Sequence, residues 1–470
     1  SSDLPAGFVD RQEEELLIRD LLISNIKKTM SKYGFQYLET PSFEYTDSIG
    51  KFLPDKDRPS EGVFSFEDEK KWLSLRYDLT APLARYSAKN FDSIPKPFKR
   101  YQLGTVWRNE KPGPGRYREF LQFDADYIGT SNLFSDAELC FLISEILNSC
   151  GLEKKEFVIK ISNRKLTKGL LEELNITDEQ KQSITLRAID KLDRVGIEGV
   201  QYLLGKGRKD KSGDFTKGAE LEENQIKQII NFLSIKDLSE NNFEKIKKMS
   251  ENNKTMQAGI DELALMKGYF SLFNFENYIF DPTVVRGLEY YTGPIFEANL
   301  TFGVTNNKGQ EIEFGSIGGG GRYDDLVKRF NNQECPATGI SVGLDRLIYA
   351  IIQKNKIKVE KSIPVLICVF DEKYMDFYMK ILNLLRSKNI SSEIYSGSSN
   401  IKSQFKYADK RGCKYVILCG EDEIQKNLIT IKNLSIGKQV SENLKDRDDW
   451  KQSAEAQKTV PFDQLLNEMK

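Results

Sequence analysis

Polar and apolar positions alternate through RYREFLQFDADY, residues 116–127. Leu121, Phe123, Ala125 and Tyr127 fall on one face of the strand that this period-two pattern predicts. Arg118, Phe120, Gln122, Asp124 and Asp126 fall on the other. The run FKRYQLGTVWRN before it is also strand-like, and EKPGPG between the two reads as a loop. The apolar face suits a core. The polar face suits either solvent or the floor of a site. Phe120 among polar groups, with Arg108 and Glu110 ending the preceding strand, favours a floor for an anionic, ring-bearing ligand.

Elsewhere the period lengthens. DRQEEELLIRDLLISNIKKTMSKYG has Asp10 and Glu13 at capping-box spacing, a stripe through Leu17, Leu21, Ile26 and Met30, and Gly34 as a stop, which together predict a helix. FQYLETPSFEY reads as a strand, and Pro41 suggests an edge or interface. KKWLSLRYDLTAPLARYSA reads as strand, turn and helix. Residues 166–268 change texture: Leu, Ile, Lys, Glu and Asn at helical periods, with the Lys/Gly segment GKGRKDKSGDFTKG, predict a mostly helical inserted domain. Strand character returns from Tyr278 to about Gly321, RGLEYYTG included, before the helix GLDRLIYAIIQK. From Ser362, PVLICVF, SSEIYS and YVILCG alternate with helical stretches as a small α/β domain, to which NLITIKNL adds a strand.

Composition narrows the chemistry. The chain has 470 residues, 30% of them charged, a net charge of −1 and no histidine. That length suggests about three domains. Near-neutrality means that any nucleic-acid contact must use local basic patches. The six cysteines form no CxxC pair and no zinc spacing, so they read as thiols in a reducing compartment. No signal peptide or long apolar span is evident, so the expectation is a cytoplasmic protein with no membrane contact. Without histidine, the commonest general base and metal ligand are missing. Carboxylates, arginines and tyrosines must carry the chemistry.

Three more segments carry candidate residues. GSIGGGGRYDDL, residues 315–326, allows a close backbone approach to a ligand, or is a flexible turn; it lacks the Walker A and dinucleotide spacings. TGISVGLDRLIYAI leads small residues into a helix bearing Arg346, which could equally be a locally paired surface arginine. LRYDLTAP offers Asp78 and Thr80 before Pro82, a pattern that also suits a plain helix N-terminus. RGLEYYTG, residues 286–293, concentrates a cation, an acid and two tyrosines between glycines.

The order of these segments resembles the three motifs of the class II aminoacyl-tRNA synthetases. RGLEYYTG and GSIGGGGRYDDL are similar to the two signature motifs of the histidyl-tRNA synthetases. RYDLT and WRNEKPGPGRYREFLQFDAD look like the α-proteobacterial and partly the eukaryotic branch, where a common bacterial form has Arg-Pro-Glu-Gly-Thr. The resemblance implies a multi-domain α/β chain. A discontinuous catalytic domain, residues 1–165 and 269–358, would hold an antiparallel sheet with flanking helices. Residues 166–268 would be a helical insertion and 362–470 an anticodon-binding α/β domain. It further implies a homodimer that activates L-histidine with ATP and Mg²⁺, without a dedicated metal site, and transfers it to tRNA(His).

Roles follow by the same resemblance. Arg108, Arg286 and Arg346 would be catalytic. Arg108, Glu110, Arg116, Phe120 and Arg346 would hold ATP, with Phe120 stacked under adenine. Asp78, Thr80 and Gln122 would hold the substrate amino group. Asp126 would read the imidazole with Tyr291, Tyr290 and Tyr323 being further candidates, and Arg286 would reach the substrate carboxylate. Strand alternation sets Tyr290 on the face of Arg286, so a bulge near Gly287 is required if Tyr291 faces the pocket. A catalytically silent relative, such as a regulatory subunit of histidine biosynthesis, is the main rival. Such relatives usually lack the motif 2 arginine, the signature arginine or the C-terminal domain, all of which this chain has.

Overall fold

The computed structural model describes residues 3–50, 62–209, 213, 215–235, 240–249, 251, 253–285, 290–306, 308–354, 357–397, 400–435 and 457–469. Two compact units divide the chain, residues 1–359 and 360–470.

An eight-stranded sheet organises the first unit. Its spatial order is Gln36–Tyr37, Phe98–Trp107, Glu119–Ile128, Ala337–Gly343, Ser316–Arg322, Pro294–Leu300, Phe157–Asn163 and Tyr278–Phe280. The two short outer strands pair in parallel with their neighbours. Every pairing between them is antiparallel. Phe123, Ala125 and Tyr127 join the main core with Ile18, Leu22 and Ile26 of the helix Glu13–Lys32 and Leu139 and Ile143 of the helix Phe134–Ser149. Full burial of a side chain such as Phe123 contributes about 2–3 kcal/mol. The opposite face of the same strand was expected to be either a solvated surface or a site floor. Solvent is ruled out for its inner half, because Gln122, Asp124 and Asp126 are all buried.

Three expectations need correction. The first helix begins at Glu13 with Gln12 as its N-cap and no side-chain cap, so Asp10 lies outside it. Its buried stripe is Ile18, Leu22, Ile26, Thr29 and Met30, one residue on from Leu17 and Leu21 in its first two turns. FQYLETPSFEY is two strands in different sheets, Gln36–Tyr37 at the edge of the main sheet and Phe43–Tyr45 in a three-stranded sheet with Lys71–Leu75 and Ser65–Asp68. Pro41, between them, is where the chain leaves one sheet for the other. The strand expected to reach about Gly321 is present, and the alternative of a flexible turn is not: Gly318–Gly321 lie inside the strand Ser316–Arg322, paired on both sides. A Cβ at Gly318 would stand 2.8 Å from the Ser341 carbonyl oxygen, and one at Gly321 2.6 Å from that of Pro294.

The segment 166–268 contains helices Arg164–Glu173, Glu179–Ile189, Leu192–Leu204, Glu223–Leu233, Glu240–Met249 and Lys254–Leu272. A short hairpin of Gly207–Lys209 and Phe215–Lys217 interrupts them. Leu166, Leu170, Ile260 and Leu263 join the same core as the main sheet.

The second unit has a five-stranded sheet in the order Ser392–Ile394, Val365–Ile367, Tyr415–Leu418, Leu428–Asn433, Gln457–Pro461. The first three strands are parallel, and helices Met375–Ser387 and Ile401–Arg411 make their crossovers. Its core gathers Ile367, Tyr378, Ile381, Leu385, Ile417 and Ile429.

Candidate active site

Strand register assembles the polar floor in rows. Arg100, Asp126 and Gly339 stand opposite one another on three adjacent strands. Gln102, Asp124 and Ser341 form the next row, and Gly104, Gln122 and Gly343 the third. The small residues of Ala337–Gly343 leave room for the larger groups beside them. At Gly339 a Cβ would collide with the Asp126 carboxylate, so any other residue there would push the acid aside.

Asp124 is fully buried. Its Oδ1 accepts from Gln122 Nε2 at 2.8 Å and Ser341 Oγ at 2.7 Å. Its Oδ2 accepts a longer bond, 3.4 Å, from Thr80 Oγ1. Burial, reinforced by the neighbouring Asp126 charge, pushes its carboxyl up to about 7, although Arg100, Ser341 and Gln122 pull the other way. Asp126 is 2% exposed. Tyr323 Oη donates to its Oδ1, and Arg100 Nη2 lies 3.0 Å from its Oδ2. Burial raises this carboxyl too, opposed by Arg100 and the Tyr323 bond.

Above the floor, Asp78 Oδ1 accepts from the backbone amides of Thr80 at 3.1 Å and Ala81 at 2.9 Å, at the start of the helix Thr80–Lys89. Asp78 thus serves as the helix-terminal acid its pattern suggested, while Thr80 reaches the floor. Tyr290 packs its ring edge-on to Tyr323, with centroids 6.3 Å apart, and its hydroxyl is 3.5 Å from that of Tyr291. Burial pushes the Tyr290 hydroxyl up to about 12, and Asp78, Arg108 and Asp124 also act on it. Tyr290–Gly293 are not strand, contrary to expectation; pairing begins at Pro294. The strict alternation argued for Tyr290 therefore has no basis, and both tyrosines lie beside the floor's end. Arg286, Gly287 and Glu289 of the same motif lie outside the described residues.

At the other end of the strand pair, Arg108 is sandwiched by rings. Its guanidinium carbon lies 4.5 Å from the Tyr77 centroid and 5.3 Å from that of Phe120. Its Nε donates to the Tyr77 carbonyl at 3.1 Å, and Nη2 approaches Gln122 Oε1 at 3.4 Å. Tyr77 Oη donates to Glu110 Oε1 at 2.8 Å, so Glu110 and Arg108 share one aromatic neighbour. Arg346, on the helix Leu344–Gln353, donates from Nε to the Ser316 carbonyl at 3.0 Å and from Nη2 to the Phe314 carbonyl at 2.6 Å, above the Phe314 ring. It is thus anchored to backbone carbonyls at the start of the glycine-rich strand. Arg116 is exposed in the loop where Gly113 and Arg116 bridge, and a Cβ on Gly115 would meet Phe314, Tyr349 and Arg346.

Sequence reasoning missed Arg100, Ser341 and Tyr77, and left Asp124 without a role. Only the cross-strand register brings Arg100 and Ser341 to the floor.

A rising strand pair ending in Arg108, a glycine-rich strand, and a helix carrying Arg346, all on one antiparallel sheet, define the catalytic domain of a class II aminoacyl-tRNA synthetase. Comparison with known proteins narrows the class. The family model "Histidyl-tRNA synthetase" matches residues 7–347, and "Anticodon binding domain" matches 363–470. The histidine–tRNA ligase of Bartonella henselae is 47% identical over 472 residues, covering 98% of this chain and 95% of that protein. That of Brucella ovis is 46% identical over 473 residues, covering 99% and 94%. The crystal structure of histidyl-tRNA synthetase from Nostoc sp. PCC 7120 superposes with a TM-score of 0.69 at 25% identity, over 100% of this chain and 99% of that one. The chain belongs to the histidyl-tRNA synthetase family. Its activity is the ATP-dependent attachment of histidine to tRNA.

Proposed function

We propose that the buried carboxylate floor receives histidine and that the Arg108 end receives ATP. The observation that carries this reading is the change of character along one sheet face. Carboxylates and hydroxyls crowd the Asp126 end, while a ring-sandwiched arginine and Phe120 occupy the other. Asp126 accepts a ring N–H, with Tyr290, Tyr291 and Tyr323 enclosing the imidazole. Asp78, Thr80 and Gln122 take the amino group. Phe120 stacks against adenine, Glu110 approaches its edge, and Arg108, Arg116 and Arg346 face the phosphates. Arg286 reaches the substrate carboxylate.

The nucleophile is that carboxylate, whose ordinary pKa of about 3.5 leaves it ionised at neutral pH without a general base. A chain without histidine therefore loses nothing in this step. The obstacle is repulsion between carboxylate and triphosphate. Arginines at both ends of the reacting phosphate lower it, acting where charge develops on phosphorus and on pyrophosphate. Mg²⁺ belongs to the nucleotide substrate; among the described residues no three acidic or thiol groups gather to hold a metal ion. A pocket lined by fixed acceptors rejects ring analogues lacking the N–H by roughly 10⁴–10⁵, because its own polar groups would stay unpaired. Pyrophosphate exchange measured with each of the twenty amino acids tests the reading. Exchange with another amino acid at the rate of histidine would sink it.

The segment 166–268 serves as an insertion that touches tRNA through Arg208, Lys209 and Lys217 of its hairpin, beside the exposed rings of Tyr202 and Phe215. Residues 362–470 bind the anticodon of tRNA(His), and 1–165 with 269–358 form the catalytic domain. The protein acts in the cytoplasm; no helix among the described residues is long and apolar enough to cross a membrane. It works as a homodimer, for which the exposed Tyr37, Phe43, Tyr45 and Trp72 offer an apolar contact near the sheet edge. Light scattering giving a monomer mass at micromolar concentration would remove the dimer.

A further inference from the structure

Among the described residues Arg100 is the largest fully buried side chain, and it is charged. Its Nη2 alone makes both of its close contacts: 3.0 Å to Asp126 Oδ2 and 3.0 Å to the carbonyl of Leu79, between Asp78 and Thr80. Nε and Nη1 are buried with no hydrogen-bond partner. Asp126 Oδ2 likewise has no hydrogen bond of its own, its closeness to Arg100 being an ion pair without hydrogen-bond alignment. An isolated guanidinium in such a place would be strongly unfavourable, and a structural role is better served by apolar residues of the same volume.

We propose that Arg100 is a positioning residue for histidine: it holds Asp126 ionised, with acceptor capacity left at Oδ2, and ties that acid to the Asp78–Thr80 segment. The proposal rests on Asp126 being the reader of the imidazole. Four groups act on Asp126: Arg100 from the Phe98–Trp107 strand, Tyr323 after the glycine-rich strand, Asp124 on its own strand, and Asp78 from the segment above. The strand Ala337–Gly343 contributes only Gly339 at this row, with no charge. Arg100 is thus the one cation among them. Burial, Asp124 and Asp78 all favour a neutral Asp126, and a protonated carboxyl loses acceptor capacity toward a ring N–H.

The test is a double-mutant cycle of R100Q, D126N and R100Q/D126N, with histidine and ATP KM measured by pyrophosphate exchange between about pH 6.5 and about pH 9. Glutamine keeps hydrogen-bonding capacity and removes the charge. In R100Q, the histidine KM should rise by at least about tenfold at neutral pH, as for one unit of carboxyl shift. It should then keep falling toward about pH 9, where the wild-type curve has levelled off, while the ATP KM stays within about twofold. R100K, which retains the charge, should restore the wild-type profile. Within D126N the Arg100 change should be silent. A histidine KM in R100Q like that of wild type, a parallel rise in both KM values without pH dependence, or effects that multiply in the double variant would overturn the proposal. Should R100Q alone fail to fold, the double variant has no orphaned charge, and its comparison with D126N still decides. If D126N itself leaves the histidine KM unchanged, the imidazole assignment falls and the proposal falls with it. A damaged D126N beside an unaffected R100Q removes the proposal alone.

Discussion

Arg11 and Asp345, 334 positions apart in the chain, meet in an ion pair at the start of the helix Leu344–Gln353. Arg11 Nη2 and Nε both donate to Asp345 Oδ1, at 2.7 and 3.0 Å. The other carboxylate oxygen accepts the backbone amide of Leu121. Asp345 immediately precedes Arg346, and Leu121 lies between Phe120 and Gln122. One carboxylate thus fixes the helix of one motif to the strand of another, with the N-terminal segment holding it in place. Arg11→Ala should loosen this junction and raise the ATP KM, leaving the histidine KM within about twofold. The loss should be about 1.5–3 kcal/mol, as for a hydrogen bond to a charged group. Equal rises in both KM values would show that the junction does not serve the nucleotide end.

Asp124 makes the protein's behaviour depend on pH in a stated direction. Its carboxyl is raised to about 7 by burial and by Asp126. Between the ordinary carboxylate range and about pH 7, the folded chain keeps a proton that the unfolded chain has released. This contribution to stability is therefore present at low pH and lost as pH rises toward 7. The melting temperature of wild type should fall relative to Asp124→Asn over that window in the absence of ligand. Thr80 and Gln122, proposed to take the cationic amino group of histidine, both bond to Asp124, so the histidine KM should fall as pH rises to about 7, by up to about tenfold per pH unit, and flatten in the variant. Identical pH profiles for the two proteins would end this account.

Arg286→Ala should nearly abolish adenylation in a folded variant, because it removes the cation proposed to reach the substrate carboxylate. The expected loss is about 3–4 kcal/mol of transition-state stabilisation, as for one strong electrostatic donor. Adenylation within about threefold of wild type in a folded variant, at any histidine concentration, would remove Arg286 from the mechanism.

Deleting residues 360–470 should spare pyrophosphate exchange far more than tRNA charging. The two units have separate cores, and every candidate residue for histidine and ATP precedes the cut. The lost contact should appear mainly as a rise in the tRNA KM that steepens with salt. If exchange and charging fall in proportion in a folded truncated chain, the two units do not divide the work.

Much of the sheet was legible because side-chain alternation is a strict rule. The apolar face of Glu119–Ile128 could be read residue by residue. Arg100 could not, since the loop between the two strands is too long to fix which residue faces which, and only a known register sets Arg100 opposite Asp126. Glycines 318–321 could be read as the end of a strand or as a flexible turn, because glycine has low strand propensity; here neighbouring backbone requires glycine within the strand. The first helix slipped by one residue because Leu16, Leu17, Ile18, Leu21 and Leu22 offer two nearly equivalent stripes. At Tyr290–Gly293, apolar flanks on both sides extended a strand across residues that are not strand.

Asp126 sits at the centre of the floor in a chain with no imidazole of its own. In an untagged sample saturated with histidine, every imidazole carbon-bound proton in the NMR spectrum belongs to the ligand. The bound ring can then be titrated with no protein imidazole to be told apart from it, its protonation state read from its own two carbon-bound protons. The ligand itself would then report the charge of the carboxylate proposed to face it.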